Sequence, residues 1–408
     1  MALSPMMQEY KKVKEDYKDC VLMYRVGDFY EMFFDDAVRV SKMLELTLTG
    51  KECGLPERAP MCGVPYHAVD VYVSRLIQKG QKVAICDQVE DPKLAKGLVK
   101  REVTRVVTPG TNMDLSAGDE TRNNFLMSIV CTEDRFGVAA CDVSTGEFLL
   151  TEVDRISRLT DEIYKIGPSE IICNEPLMMS GLDIDDLRNR LGIMVEAMDP
   201  RYFGDVICRK TLMDHFHVGS VEGLGISEFG CGVNAAGALL SYLFETQKTD
   251  LSHISMIRPY HTEEFMVMDG SSMRNLELLE TLREKEKRGS LFWVLDKTRT
   301  AMGARMLRSW IEQPLLDKDT INARLDAIDS LNRNEITCAE IREYLNPVYD
   351  LERLAARISY KSANPRDLVS LKTSLQMLPH IKALLMELEA GKFREFLDSF
   401  DTLEDLSE

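Results

Sequence analysis

The stretch YRVGDFYEMFFDDA, residues 24–37, decides how the first part of this chain is read. It contains two strand-like runs joined by Gly27-Asp28, a recognised two-residue hairpin connection. Upstream, KDCVLMYRV (residues 18–26) supplies the first strand. Downstream, DDAVRVSKMLEL (residues 35–46) has the period of a short amphipathic helix, which Asp35 or Asp36 can cap. Side chains alternate along a strand, so Phe29 and Glu31 share one face, while Tyr30, Met32 and Phe34 form the better core face. Two readings of Phe29 compete. In one it is a core residue and Glu31 a solvated edge charge. In the other it is an exposed apolar wedge with a carboxylate beside it.

Outward from the hairpin, YHAVDVYVSRLIQKG (residues 66–80) predicts a helix closed by Gly80, and QKVAICDQV and VTRVVTPGT predict strands. The first 115 residues thus form a small α/β domain. Residues 116–251 form a second domain. NNFLMSIVC, FGVAACDVS and GEFLLTEV predict a three-stranded meander, followed by a helix (RLTDEIYKI) and a buried strand (SEIICN). This order resembles the ribonuclease-H-like arrangement, with a helix over 233–248 closing the domain. From residue 252 to residue 408 helical periodicity dominates. A helix is predicted over 271–289 with a Ser cap and apolar Met273, Leu276 and Leu279, and a second over 301–317 that stops before Pro314. Asn364-Pro365 is a strong start signal for a long helix that Gly391 closes. The fold class is multidomain α/β plus all-α. The chain stops amid helix-like sequence, which points to a longer protein.

Composition narrows the function classes. The chain has 408 residues and ten cysteines without a Cys-x-x-Cys pair, which favours a reducing compartment over a disulfide framework or a zinc site. No apolar run approaches the length of a membrane span. The net charge of −17 argues against a nucleic-acid partner until it is divided. Residues 1–113 carry 17 Lys+Arg against 16 Asp+Glu, and the remainder 33 against 51. Within the first part, residues 93–105 hold Lys93, Lys96, Lys100, Arg101 and Arg105 against Glu102 alone. Local patches of this kind set phosphate contacts.

No phosphate-loop motif, His-Glu-x-x-His pair or Gly-x-Ser-x-Gly elbow occurs in the chain. His215 and His217 are spaced for one strand face but lack a third ligand. One enzymatic option remains, a metal-dependent nuclease on the second domain, with Asp142 as ligand and Glu147, Glu152 and Asp161 as candidates to join it. A structural adaptor, with Phe29 in the core, is the other alternative. A wedge reading has its own physical basis. Proteins that bend DNA insert apolar side chains at base steps, and unstacking costs least where a pair is already faulty. A carboxylate beside the wedge repels the phosphates of normal duplex unless a displaced base edge bonds it.

Three quoted segments, residues 24–37, 59–92 (APMCGVPYHAVDVYVSRLIQKGQKVAICDQVEDP) and 100–111 (KREVTRVVTPGT), closely resemble the mismatch-recognition domain of the MutS family of bacterial DNA mismatch repair proteins. CDVSTGEF resembles the family's connector domain. MDGSSMRNLELLETL, TAMGARMLRSWIEQPL and SYKSANPRDLVSLKTSLQMLP resemble its helical lever, or core, domain. The resemblance implies that Phe29 stacks on a mispaired or unpaired base and that Glu31 hydrogen-bonds to it. It places Val26, Lys51, Pro60, Met61, Lys96, Lys100, Arg101 and Arg105 in DNA-facing segments. It implies double-stranded DNA with mismatches or small loops as ligand, MutL as a partner through the connector, and a cytoplasmic, nucleoid-associated location. For the full-length parent it further implies a homodimer and a DNA-dependent ATPase using ATP and Mg. This chain, lacking a phosphate loop, is expected to hydrolyse no ATP.

Overall fold

The computed structural model describes residues 3–90, 99–113 and 120–407. A helix, α1 (Pro5–Asp16), precedes the hairpin strands β1 (Cys20–Val26) and β2 (Phe29–Phe33). Gly27 takes a φ of +58°, the left-handed conformation that a tight hairpin turn demands and glycine adopts without a Cβ penalty. Then follow α2 (Phe34–Leu44), β3 (Thr49–Lys51), β4 (Ala59–Pro65), α3 (Val69–Ile77), β5 (Lys82–Gln88) and β6 (Arg101–Val107). The sheet order is β3-β4-β2-β1-β5-β6, with β1 and β5 parallel and the other pairs antiparallel.

The sheet is covered on both faces. Tyr30 and Met32 pack with α2 and α3 through Val40, Val73 and Leu76. The opposite face buries Leu22, Tyr24 and Phe33 against Met7 and Tyr10 of α1. Phe34 does not continue the strand as the alternation predicts. The chain turns there, at a φ of +54°, and Phe34 joins the α1 side as the first residue of α2. Neither Asp35 nor Asp36 caps α2. Asp36 is buried and instead accepts the Leu22 amide of β1 at 3.1 Å and pairs with Lys14 of α1 at 2.8 Å. A carboxylate that ties two neighbouring elements to β1 cannot also cap its own helix.

The second sheet has the order β11-β10-β7-β8-β9-β12. Strands β7 (Leu126–Cys131), β8 (Phe136–Asp142) and β9 (Glu147–Val153) form the antiparallel meander. The helix Ile156–Ile166 leads to β10 (Glu170–Cys173), parallel to β7, and β11 (Met194–Ala197) adds in parallel to β10. Strand β12 (Arg258–Pro259) closes the far edge beside β9. The helix Gly230–Gln247 lies across this sheet, and Gly137 makes the close approach possible. A Cβ there would stand 2.3 Å from the Cys231 carbonyl carbon.

The last region is helical, with two departures from the periodicity. The predicted helix over 271–289 is only Gly270–Asn275, capped by Asp269 rather than a serine, and Glu277 then breaks the path at a φ of +48°. Met273 and Leu278 are buried while Leu276 is exposed, so the apolar period was set by a turn rather than a helix. Asn364 does cap the helix Pro365–Leu385, in a reciprocal box with Asp367. Gly391 opens the next helix, Gly391–Ser399, instead of closing the previous one, because Leu385 and Leu388 turn into a small core before it. His215 and His217 are on no strand. They end the helix Asp205–Phe216, where His215 bonds the Ile254 carbonyl at 2.8 Å and burial lowers its pKa.

Candidate nucleic-acid interface

The face of the first sheet that α1 covers is not covered to its end. Residues opposite one another in register share a face. Phe29 stands against Val26 and Pro65, Glu31 against Tyr24 and Gly63, and Phe33 against Met61. Phe33 is under α1, but Phe29 is 47% exposed. Its neighbours along β2, Tyr30 and Met32, are 4% and 0% exposed. An aromatic ring thus stands in solvent at the head of a strand whose next residues are core.

Glu31 is half-buried and ion-paired with Lys51 of β3. Lys51 takes up Oε2, and among the described residues Oε1 has no hydrogen-bond partner. Gly63 lies opposite this side chain; a Cβ there would press on the Tyr30 carbonyl oxygen at 3.2 Å and touch Glu31 Cγ at 3.5 Å. Pro60 and Met61 are half-buried on the neighbouring strand, and Thr49 Oγ1 donates to the Met61 carbonyl at 3.1 Å. Val26 packs partly against the α1 core.

Beside the hairpin tip lies a feature the sequence reading missed. The Arg25 guanidinium sits 4.1 Å from the centroid of the exposed Tyr66 ring. The Tyr66 amide donates to the Asp28 carbonyl at 2.9 Å, fixing the start of a single helical turn, Tyr66–Ala68, against the turn of the hairpin. The aromatic immediately after Pro65, which pairs with Phe29, was the available signal.

The basic run behaves differently from its appearance as a patch. Lys96 lies outside the described residues. Lys100 is exposed and pairs with Glu102 at 2.5 Å, which raises its pKa. Arg105 pairs with Asp70 at 3.4 Å. Arg101 is turned inward and buried, contrary to its expected place on DNA. Its Nε donates to the Arg25 carbonyl and Nη1 to the Val99 carbonyl, both at 2.7 Å, over the Tyr24 ring. Its role is to tie β6 to β1. Arg101→Met is therefore expected to lower stability by about 2 kcal/mol without changing the salt dependence of DNA binding. Unaltered melting together with a salt slope shallower by about one phosphate would return Arg101 to the DNA surface.

Of the carboxylates of the nuclease option, Asp142 and Glu147 stand opposite each other across β8 and β9, but Glu152 and Asp161 do not complete a group with them. Asp142 is buried, and its oxygens accept the Ser144 amide (2.8 Å) and hydroxyl (2.7 Å) and the Asn124 amide (3.2 Å). Burial raises its pKa, and these donors work against the rise. Glu147 takes Asn123, Glu152 takes the Gly232 amide, and Asp161 lies on the helix Ile156–Ile166. Among the described residues no group of three or more His, Cys, Asp or Glu side chains could hold a metal ion. A large crevice lies between the second sheet and the helical region, where Arg305 and Arg308 are already paired with Asp350, Glu352 and Glu312.

The architecture defines a class: a mixed α/β domain presenting an aromatic and a carboxylate beyond its core, then a meander-helix-strand α/β domain, then a helical region. Models of MutS domain I, MutS domain II and MutS domain III match residues 4–116, 124–255 and 271–407 respectively. The chain is 60% identical over 404 residues to the DNA mismatch repair protein MutS of Lachnoclostridium phytofermentans, covering 99% of this chain and 43% of that protein. It is 49% identical over 407 residues to the protein of that name from Ruminiclostridium cellulolyticum, covering 99% of this chain and 46% of the relative. The match to that of Acetivibrio thermocellus is 48% over 410 residues, covering 100% and 47%. The chain belongs to the MutS family of mismatch repair proteins, and it spans a little under half the length of these relatives.

Proposed function

We propose that this chain recognises mispaired or unpaired bases in duplex DNA, with Phe29 entering the base stack and Glu31 bonding the displaced base. The exposure of Phe29 beside a core strand is the observation that carries this reading. An apolar ring in water gains by stacking on a base, and a faulty pair costs least to open. Glu31 stands one pleat further along the same face. Val26, opposite Phe29, and Met61, opposite Phe33, lie on the same face as the pair. Of the described residues of the basic run, Lys100 is exposed but paired with Glu102, and Arg105 is half-buried beside Asp70. Attraction to phosphates is modest on this count, so discrimination rests on the wedge. In the longer protein, by family resemblance, ATP hydrolysis with Mg, dimerisation and contact with MutL through the second domain complete the repair function. They lie beyond what this chain alone is proposed to do.

The test is binding of the purified chain at low salt to two labelled duplexes, identical except for one G·T mismatch or one unpaired T. Tighter binding to the faulty duplex supports the reading, and equal affinity for both refutes it for this chain.

A further inference from the structure

Lys51 was assigned above, by resemblance, to a DNA-facing segment, where a lysine ordinarily neutralises a phosphate. Its observed partner is different. Its ammonium is on Glu31 Oε2, and it lies 5.7 Å from the centroid of the Phe33 ring. Both side chains are largely shielded, at 28% exposure for Lys51 and 14% for Glu31. They come from different strands, β2 and β3, that are not neighbours, since β4 runs between them. Across β4, Glu31 stands opposite Gly63 and Lys51 opposite Ala59, so the bridge runs diagonally over that strand.

This arrangement has two chemical consequences. An ammonium on Oε2 holds the carboxylate in one orientation and leaves Oε1 as the open acceptor. A carboxylate held in this way is an acceptor only. It also offsets the charge that would otherwise stand unpaired next to phosphates. We propose that Lys51 is the positioning residue of Glu31 rather than a phosphate contact. The open Oε1 would thereby favour a displaced base that presents an N–H donor to it, which for thymine is N3. This inference rests on the mismatch-binding reading above and specifies how its carboxylate is set.

The experiment is a double-mutant cycle on the full chain with Lys51→Met, which keeps an unbranched stem, and Glu31→Gln. The readout is the ratio of affinities for the duplex with an unpaired T and for perfect duplex, with Phe29→Ala as control. A second probe carries N3-methylthymine at the unpaired position, which removes the imino donor. Lys51→Met is expected to lower the ratio about tenfold, the worth of one charge-assisted hydrogen bond, and to have no effect on the ratio in the Glu31→Gln background. Blocking N3 is expected to cost the wild type a similar factor and the Glu31→Gln variant nothing. Equal weakening on both duplexes in either background, with a salt slope shallower by about one phosphate, overturns the proposal and makes Lys51 a backbone contact. An unchanged ratio in Lys51→Met also overturns it. If the wild-type ratio is one, or survives Phe29→Ala, the mismatch-binding reading itself has failed. A wild-type ratio that Phe29→Ala abolishes but Lys51→Met does not alter sinks only the role of Lys51.

Discussion

Phe29→Ala is expected to bind faulty and perfect duplexes with equal affinity while losing clearly less stability than truncation of a core phenylalanine. Both halves follow from the position of the ring. Stacking of an aromatic side chain on a base is worth about 1–3 kcal/mol, so its loss reduces affinity for the faulty duplex by roughly 5-fold to 150-fold. Perfect duplex, which resists unstacking, gives the ring little to lose. On the stability side, truncating a buried phenylalanine costs about 3–5 kcal/mol. Phe29 at 47% exposure leaves about half of that cost unrealised, whereas Phe33, two residues on and 1% exposed, would incur it in full. Phe33→Ala therefore serves as the comparison for a true core position. Anisotropy titrations and thermal melts of the two variants separate the cases. A melting temperature lowered as far as that of Phe33→Ala, with retained discrimination, in Phe29→Ala would make Phe29 a core residue and remove the wedge.

How much of this was legible in the sequence depends on how local the cause was. The hairpin was readable because Gly27-Asp28 and the alternation of residues 29–33 are local signals, and the sheet register obeys them. Whether Phe29 was covered was not readable. Alternation places Phe29 and Phe33 on one face, and only the length and placement of α1 decide that the helix shelters one and not the other. The Lys51–Glu31 bridge is likewise non-local, joining positions twenty residues apart across an intervening strand. Arg101 is a different kind of miss. In REVTRVV the buried positions alternate, so Arg101 shares the inward side with Val103, and the period was present in the sequence. The charge of the run concealed it. In the helical region the error was one of period. Met273, Leu276 and Leu279 fit a helix on paper, but the segment turns after Asn275 and buries Leu278.

The second large effect is expected at Glu170, which no pattern singled out. It heads β10, is fully buried, and joins the first two domains. Its Oε2 accepts the Thr108 hydroxyl and, at 3.0 Å, the Gly110 amide, both from the segment leaving β6. Its Oε1 accepts the Tyr242 hydroxyl at 2.7 Å. Around it, Lys82 of β5 pairs with Glu196 of β11, and Gln247 donates to the Val106 carbonyl at 3.2 Å. Glu170→Leu strands the Gly110 amide and the Tyr242 hydroxyl, at about 1–3 kcal/mol each. A total loss of about 2–6 kcal/mol is expected. It falls on the joint, so calorimetry should show the first domain melting ahead of the second.

Glu170→Gln should behave in the opposite way. Its amide oxygen can accept from Thr108 and Gly110, and its NH₂ can donate to Tyr242 once that hydroxyl rotates. Burial raises the Glu170 pKa, while the hydrogen bonds from Thr108, Tyr242 and Gly110 and the charge of Lys82 hold it down. With a folded pKa above the unfolded one, the stabilising contribution of Glu170 is complete below the unfolded pKa and is lost as pH rises through the folded pKa. The glutamine variant lacks that loss. Relative to wild type it should gain stability as pH rises from about 4 toward neutrality, and the difference should flatten once Glu170 is ionised in both states. A difference of the opposite sign, with the wild type gaining on the glutamine variant as pH rises through that range, would mean that Glu170 is ionised in the folded protein throughout. The joint would then be held by charge, with Lys82 as its counter-ion, rather than by the geometry of a buried acceptor.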